Sequence, residues 1–296
     1  VIELDAVIFI QPPPYQSTHH YVTFDNSYIE TCWWIIKQFW EKGLIYRGYK
    51  VTPHCPRCVT SLSSHEVALG YEEADDPSVW IKFRLDEESK KTLFGKLELR
   101  DDSLDTFFLA WTTTPWTLPA NVALAVAADA EYAVVQSEDE RLILAKALLE
   151  QSLIGEFEVI GTIVGSDLEA LYYEPLYKPH PPHEQPAKPG YRVILGDFVS
   201  MGEGTGIVHI APAYGEVDLE VGKVEGLPLV HSVLQNGEVL PISLLFTIEQ
   251  FRDMSAEGMR TYHPSVVPGE GKFVKDADPL ILEDLESRGL LYRRET

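Results

Sequence analysis

Residues 111–121 read Trp-Thr-Thr-Thr-Pro-Trp-Thr-Leu-Pro-Ala-Asn and directly follow the apolar run Phe107-Phe108-Leu109-Ala110. Three consecutive threonines after an apolar run, followed by Pro115, predict a strand that ends in a turn. The hydroxyls and amides at such a strand end are not all used by sheet pairing. They are therefore candidates for contact with a ligand.

A second segment with the same organisation lies about 90 residues later, at residues 204–218. It reads Gly-Thr-Gly-Ile-Val-His-Ile-Ala-Pro-Ala-Tyr-Gly-Glu-Val-Asp, which predicts a glycine turn, an apolar strand, a polar tip and the start of a helix. Asp218 falls in the first turn of that helix, where the helix dipole favours an acid. If the two strand tips meet, the threonines, His209 and Asp218 form a small polar pocket.

Each of these residue types also has an ordinary structural explanation. A single histidine on a strand is usually a hydrogen-bonded core residue, and an aspartate in a first helical turn usually caps that turn. Threonines are common in strands because their branched side chains suit the pleated sheet. Only the joint occurrence of both segments favours a functional site.

Length and composition indicate a folded protein that holds one sizeable domain with an appendage, or two domains. The chain has 296 residues, of which 45% are hydrophobic, and three cysteines, an odd number that argues against a disulfide framework. No apolar run reaches the length of a membrane span, and the start of the chain lacks the pattern of a signal peptide. These features predict a cytoplasmic protein with no membrane partner.

The charge balance is strongly acidic. The chain carries 24 basic and 46 acidic residues, which gives a net charge of −22. A protein of this charge repels the phosphate backbone of a nucleic acid. Any contact with nucleic acid must therefore be local or assisted, and much of the acidity is explained by solubility alone.

The pattern of apolar residues predicts a mixed, largely antiparallel, barrel-like α/β domain. Strands are predicted at residues 79–85, 106–113, 122–126, 132–136, 157–164, 191–199 and 206–210, and helices at residues 140–151, 215–226 and 279–289. We divide the chain into a junctional segment with one helix at 1–50, a cysteine knuckle at 51–66 and the main domain at 67–296. An insertion of uncertain structure lies near 237–270.

Cys55 and Cys58 form a CxxC pair. Two thiolates at this spacing can occupy two corners of a tetrahedral zinc site. The sequence contains no second CxxC, so either His54 or His65 completes the site, or the other ligands lie outside this chain. A knuckle without metal is the alternative.

Four stretches together resemble isoleucyl-tRNA synthetase, a class I enzyme, in the connective polypeptide that carries its editing domain. They are residues 28–34, residues 55–71, residues 111–121 and residues 204–218, and residues 273–279 are similar to the same family. The leucyl and valyl relatives typically carry an arginine and an acidic residue around the proline of the threonine motif, where this chain has Thr114-Pro115-Trp116-Thr117.

The resemblance implies hydrolysis of valine that has been wrongly esterified to isoleucine tRNA. Isoleucyl-tRNA synthetase is itself the standard example of why such editing is needed. The one methylene group by which isoleucine exceeds valine lets the enzyme prefer isoleucine by only about 150-fold. The resemblance assigns catalytic roles to Asp218, which would pair with the α-ammonium group, and to Thr112, Thr113 and Thr114, which would hold the terminal adenosine, the ester and the water. His209 would shape the pocket, and further substrate contacts would come from Trp116, Asn121, Gly204, Thr205 and Gly206.

The implied partners are the 3′ end of isoleucine tRNA carrying valine and the remainder of the synthetase, and editing requires no cofactor. The sequence contains neither the HxGH nor the KMSKS signature of the ATP site, so it is not expected to charge tRNA by itself. Two alternatives stay open. One is a free-standing factor that edits in trans, and the other is a catalytically silent tRNA-binding or structural module.

Overall fold

The structure is a computed structural model that describes residues 22–46, 48, 50–99, 104–137, 139–178, 190–244 and 266–295. The chain divides into two units, residues 1–49 and residues 50–296. The first unit contains helix α1 (Asn26–Glu41), which has no side-chain cap and is followed by Gly43 with a φ of 68°. No residue of helix α1 is buried.

The second unit contains the remaining elements. Its helices are α2 (Ser64–Leu69), α3 (Glu87–Leu97), α4 (Leu149–Ser152), α5 (Glu216–Glu225) and α6 (Val274–Ser287), with 3₁₀ helices at Pro115–Ala120, Lys146–Leu148 and Gly165–Leu168. Its strands are β1 (His54–Cys55), β2 (Thr60–Ser61), β3 (Ser78–Arg84), β4 (Asp105–Thr112), β5 (Ala123–Val126), β6 (Glu131–Gln136), β7 (Glu140–Ala145), β8 (Glu158–Val164), β9 (Arg192–Leu195), β10 (Ile207–Ile210), β11 (His231–Val233), β12 (Val239–Leu244) and β13 (Leu291–Glu295).

The strands form a six-stranded sheet in the order β13-β3-β4-β7-β6-β8 and a three-stranded sheet in the order β10-β5-β9. Strands β1 and β2 pair separately, as do β11 and β12. The pairs β4–β7 and β5–β9 are parallel and the other pairs are antiparallel. The predicted mixed α/β class is confirmed. The prediction of a barrel-like closure is wrong, because the described strands form open sheets.

The six-stranded sheet is buried on both faces. Along β3, Val79, Ile81 and Phe83 belong to the main core, whereas Trp80 packs in a smaller cluster on the opposite side. Successive side chains of a strand point to opposite faces, so both clusters are filled by the same strands. The inner strands β4, β6 and β7 therefore have runs of consecutive buried apolar residues, whereas the edge strands β8 and β13 are mostly half-buried or exposed.

This double burial explains one wrong prediction. Residues 140–151 were expected to form one helix, but Glu140–Ala145 form strand β7 between β4 and β6. The run Leu142-Ile143-Leu144-Ala145 is buried throughout, and such a run has no periodicity that separates a buried strand from a helix. The chain becomes helical only after residue 145.

The region around the predicted insertion is partly described. Residues 239–244 form strand β12, which pairs with β11, and residues 245–265 lie outside the described residues. The terminal helix begins at Val274, five residues before its predicted start at Pro279. No helix among the described residues combines the length and the apolar composition needed to cross a bilayer.

Two glycines provide a matched test of the packing. A Cβ atom at Gly165 would lie 1.9 Å from the carbonyl oxygen of Ala127, whereas one at Gly95 in α3 would meet nothing within 4 Å. We expect Gly165→Ala to lower the free energy of unfolding by about 2 kcal/mol or more, because the backbone must move. We expect Gly95→Ala to raise it by about 0.5–1 kcal/mol, because alanine favours helix.

Urea denaturation of both variants and the native chain checks this pair of predictions. Equal stability of the two variants would contradict the packing at Gly165.

Candidate functional site

The threonine motif forms a closed turn at the end of β4. The hydroxyl of Thr112 accepts a hydrogen bond from the amide of Thr114 at 3.1 Å, and the two hydroxyls lie 3.2 Å apart. Pro115 then begins the 3₁₀ helix, where its fixed φ is favourable and its missing N–H costs nothing. Thr113 and Thr114 are half-buried and Thr112 is buried, so the predicted strand end is confirmed as a turn.

His209 on β10 joins the second segment to this turn. Its Nε2 atom lies 2.9 Å from the hydroxyl oxygen of Thr117, and that hydroxyl lies 2.8 Å from the carbonyl oxygen of Thr114. A threonine hydroxyl has one proton, which it donates to the carbonyl, so it accepts the Nε2–H of His209. The sequence segments around residues 112 and 209 therefore meet, as the site hypothesis requires.

The environment of His209 keeps its ring neutral. Burial lowers the pKa of His209 from 6.5 to about 4. Because Nε2 carries the proton, Nδ1 is an acceptor, and it is buried with no hydrogen-bond partner within the described part of the chain. The ring thus shapes the interior next to the turn and does not bring a positive charge to it.

Asp218 lies in the first turn of α5, and its carboxylate folds back over the end of β10. Its Oδ2 atom accepts a hydrogen bond from the amide of Ala211 at 2.8 Å. Burial raises the pKa of Asp218, and the amide of Ala211 partly offsets that rise. Gly215 leaves room for the carboxylate, since a Cβ atom there would lie 2.7 Å from Cγ of Asp218.

A cavity of about 610 Å³ lies beside both segments. It is lined by Trp116 and Tyr214, whereas the three threonines of the turn, His209 and Asp218 are not among its lining residues. Trp116 from the threonine segment and Tyr214 from the second segment pack edge to face at 5.1 Å between ring centroids, and both line the cavity. Its remaining lining includes His231, Val233 and Phe273. The volume lies within the range of small-molecule sites, and the walls combine aromatic surface with a few polar groups.

Four of the predicted contact residues have structural partners. The side chain of Asn121 is buried, donates to the carbonyl of Ala123 at 2.9 Å and accepts the hydroxyl of Tyr173 at 2.6 Å. Gly204 and Gly206 have positive φ, and the hydroxyl of Thr205 is buried against Ile207. These bonds hold the loops in place, and a contact of these residues with substrate stays a prediction.

The knuckle is a short hairpin of β1 and β2. The amide of Cys58 lies 3.4 Å from Sγ of Cys55, and hydrogen bonds from Cys58 lower the pKa of Cys55. Nε2 of His54 lies 2.7 Å from the carbonyl oxygen of Gln235, so that ring nitrogen is not free for a metal. Within the described ranges, no three His, Cys, Asp or Glu side chains are placed to hold a metal ion.

Three functional candidates were missed from the sequence: Thr117, Tyr214 and Asp278. Thr117 lies within the threonine segment, but only the fold shows that it binds His209. Tyr214 is separated from Trp116 by almost 100 residues, and Asp278 lies on α6, so no local spacing connects them to the turn. Their proximity to the motif is a property of the tertiary structure.

The comparisons with known proteins place the chain in a family. Residues 15–258 match the family described as tRNA synthetases class I (I, L, M and V), and the chain belongs to this family. Within it, the chain is 44% identical to isoleucine–tRNA ligase of Dehalococcoides mccartyi strain CBDB1 over 289 residues, and 44% identical to that of Thermus thermophilus over 277 residues. The predicted resemblance to isoleucyl-tRNA synthetase is confirmed.

The matches also show which share of the relatives is present. They cover 93% of this chain but 26% and 22% of the two ligases, so the chain spans about a quarter of their length. The crystal structure of GlLeuRS-CP1 matches 74% of this chain and 99% of its own, with a TM-score of 0.52 and 18% identity. That likeness shows the fold alone, and it assigns the mixed α/β unit to the CP1 editing-domain type.

The buried histidine has a testable effect on stability. The folded chain keeps His209 neutral down to about pH 4, whereas the unfolded chain binds a proton below about pH 6.5. The stability that His209 contributes is therefore present above pH 6.5 and lost as the pH falls toward 4. We expect the stability advantage of the native chain over His209→Gln to shrink by about 2 kcal/mol between pH 7 and pH 5.

Urea denaturation at pH 7, 6 and 5 measures this change. His65→Gln is the matched control, because it makes the same replacement at an exposed position. A parallel pH dependence of the native chain and His209→Gln would show that His209 titrates normally in the fold.

Proposed function

We propose that this chain hydrolyses the ester between valine and isoleucine tRNA, and so removes valine attached by mistake. The observation that supports the proposal best is the hydrogen bond from His209 to Thr117, which links the threonine segment to the strand that precedes the helix of Asp218. One residue of each segment, Trp116 and Tyr214, lines the neighbouring cavity. Membership of the class I tRNA synthetase family supports an aminoacyl ester as the substrate class. The other segment of the substrate is the 3′-terminal adenosine.

In this proposal, Asp218 pairs with the α-ammonium group of the amino acid. Its carboxylate is already oriented by the amide of Ala211, so little conformational freedom is lost when the substrate binds. A charged pair in this half-buried position is stronger than the same pair in water. The carboxylate thereby fixes the carbonyl carbon of the ester relative to the turn.

The threonine turn provides hydroxyls for the adenosine, the ester and the attacking water. Water adds to the ester carbonyl, the bond to the ribose oxygen breaks, and the proton of the water ends on that oxygen. The products are valine and tRNA with a free terminal hydroxyl. An aminoacyl ester is labile, so positioning and hydrogen bonding supply the required acceleration without a covalent nucleophile.

Selection of valine is assigned to the cavity. Trp116 and Tyr214 form rigid adjoining walls, and His209 supports the turn from the interior. Aromatic walls can accept the side chain of valine and exclude isoleucine, which is larger by one methylene group. This second selection supplies the discrimination between the two amino acids that the aminoacylation site alone cannot reach. The remainder of a synthetase in the cytoplasm would present the tRNA end. Zinc at Cys55 and Cys58 would need ligands from outside this chain.

Removing the charge of Asp218 tests the assignment of the anchor. We expect Asp218→Asn to lower kcat/KM for valyl-tRNA(Ile) about ten- to a hundredfold, because a charge-assisted hydrogen bond contributes about 1.5–3 kcal/mol. Asparagine retains an oxygen for the amide of Ala211, so the fold is preserved. Release of valine from purified valyl-tRNA(Ile) measures the rate, with isoleucyl-tRNA(Ile) as the comparison substrate.

Glu216→Gln is the matched control, because Glu216 is an exposed acid in the same helical turn. Its rate should equal that of the native chain. A native chain that binds tRNA but releases neither amino acid would instead establish the silent binding module and contradict the proposal.

Moving the carboxylate without removing it gives an independent test. Gly215 has an extended backbone that alanine also adopts, but the added Cβ would collide with the carboxylate of Asp218. We expect Gly215→Ala to lower valine release about tenfold or more, since displacement of an anchoring group misplaces the ester. Gly95→Ala serves as the control, and an unchanged rate in Gly215→Ala would argue against Asp218 as the anchor.

A further inference from the structure

The cavity beside the two motif segments is lined without acids. Its lining residues include Lys50, His54 and His231 but no aspartate or glutamate within the described part of the chain, and the buried acid of α6, Asp278, is not among them. Three other cavities of the same unit each contain an acid: Glu131 and Asp167 in one, Glu174 in another, and Glu140 with Glu156 in the third. In a chain with a net charge of −22, this cavity therefore repels an anionic ligand less than those cavities do.

The walls of the cavity divide into a half-buried part and an exposed part. Trp116, Tyr214 and His231 belong to the half-buried part, where the hydroxyl of Tyr214 accepts a hydrogen bond from the amide of Ser232 at 2.8 Å. The exposed part consists of Lys50, His54, Gln235 and Phe273. Residues 231–235, which belong to strand β11 and the turn after it, contribute to both parts, so the two parts are regions of one continuous cavity.

The ring of Phe273 is fixed by its neighbours, although 39% of the residue stays exposed. Phe273 directly precedes α6, and the next residue, Val274, donates its amide to the carbonyl of Gly237 at 3.0 Å. A Cβ atom at Gly237 would lie 2.8 Å from the ring of Phe273 and 3.0 Å from Cβ of Pro56. The ring, the hairpin turn and the knuckle are therefore in close contact, and the exposed surface of the ring is held in a defined place.

A fixed, exposed aromatic ring beside a lysine suits a nucleotide. Bases of single-stranded nucleic acids stack on aromatic side chains, and this contact tolerates any base. Lys50 is the single lysine or arginine among the lining residues of the described part of the chain, and an ammonium group pairs with a phosphate. The exposed part thus has one group for the base and one group for the phosphate of a single nucleotide.

Trp116 connects the cavity to the threonine turn, because it follows Pro115 in the 3₁₀ helix and also lines the cavity. In the proposed reaction the turn holds the terminal adenosine, and one phosphodiester joins that adenosine to the preceding nucleotide. The preceding nucleotide must therefore bind next to the turn. A volume of about 610 Å³ is in the range of sites that enclose a whole small molecule, so the cavity has room for more than the side chain of valine.

We propose that the exposed part of the cavity binds the nucleotide that precedes the terminal adenosine of the tRNA, with its base stacked on Phe273 and its phosphate paired with Lys50. This inference rests on the proposed hydrolysis of valyl esters. The side chain of valine then occupies the half-buried part beside Trp116 and Tyr214. Phe273 and Lys50 do not touch the ester, and they contribute binding energy from a remote part of the substrate.

Three valine esters of increasing length test this site: valyl-adenosine, the valyl ester of cytidylyl-adenosine, and valyl-tRNA(Ile). The last two contain the preceding nucleotide. We expect Phe273→Leu to lower kcat/KM about tenfold for these two, because the loss of one stacked base weakens binding about 5- to 150-fold. For valyl-adenosine we expect a loss of no more than about threefold, since leucine retains apolar packing against Gly237 and Pro56. Phe157→Leu is the matched control, because Phe157 is 37% exposed and does not line the cavity.

The pattern across the three esters separates the outcomes. An equal loss on all three esters in Phe273→Leu, or unchanged rates on all three, would overturn the inference, while valine release by the native chain would uphold the proposed function. Release of valine from none of the three by the native chain would remove the proposed function. Direct binding of an oligonucleotide would then decide the nucleotide site by itself.

Binding of the unacylated trinucleotide cytidylyl-cytidylyl-adenosine, labelled with a fluorophore at its 5′ end, is independent of activity. Fluorescence anisotropy at several salt concentrations gives the slope of log affinity against log salt concentration. We expect Lys50→Gln to reduce this slope by about 0.7, the value for one phosphate contact on a single strand. We expect Phe273→Leu to weaken binding about tenfold at each salt concentration. Lys91→Gln, at an exposed lysine of α3, is the control and should keep the native slope. A native slope in Lys50→Gln, or native affinity in Phe273→Leu, would overturn the inference.

Discussion

The hydroxyl of Thr117 is the group on which the arrangement of the site depends. It has one proton to donate and gives it to the carbonyl of Thr114, so it can only accept from His209. This fixes the tautomer of His209 and joins the end of β4 to β10, which belong to different sheets. This side-chain hydrogen bond adds to the backbone pairing of β5 with β10, and Asp218 is connected to the same strand end through the amide of Ala211.

The polar groups around this link are only partly satisfied. Nδ1 of His209 and Oδ1 of Asp278 are both buried without a partner among the described residues, and both lie next to the 3₁₀ helix Pro115–Ala120. Folded proteins normally pair such atoms, because each buried polar atom without a partner lowers stability by about 1–3 kcal/mol. Both unpaired atoms lie beside the same short helix, so the geometry of this helix is maintained at a cost in stability.

The cavity beside the helix is built from segments that are far apart in the chain. The knuckle contributes His54, which binds the carbonyl of Gln235 in the β11–β12 hairpin. The C-terminal helix contributes Phe273, and the two motif segments contribute Trp116 and Tyr214. The knuckle therefore contributes to the rim of the cavity through the contact between His54 and Gln235.

The sequence by itself determined the two polar strand ends, most of the strands and the family. Glycine, proline and runs of apolar residues act locally, so the turn at Thr112–Pro115 and the helix start at Glu216 could be predicted from neighbouring residues. The tertiary structure decided the rest. The sequence pattern predicts a helix at strand β7 because both faces of this strand are buried, one in the main core and the other in the smaller cluster, which leaves no alternation in the sequence. The open sheets follow from pairings that no local pattern contains. Thr117, Tyr214 and Asp278 became candidates only when distant segments were brought together, since hydrogen bonds and ring contacts depend on distance in space and not on spacing in the chain.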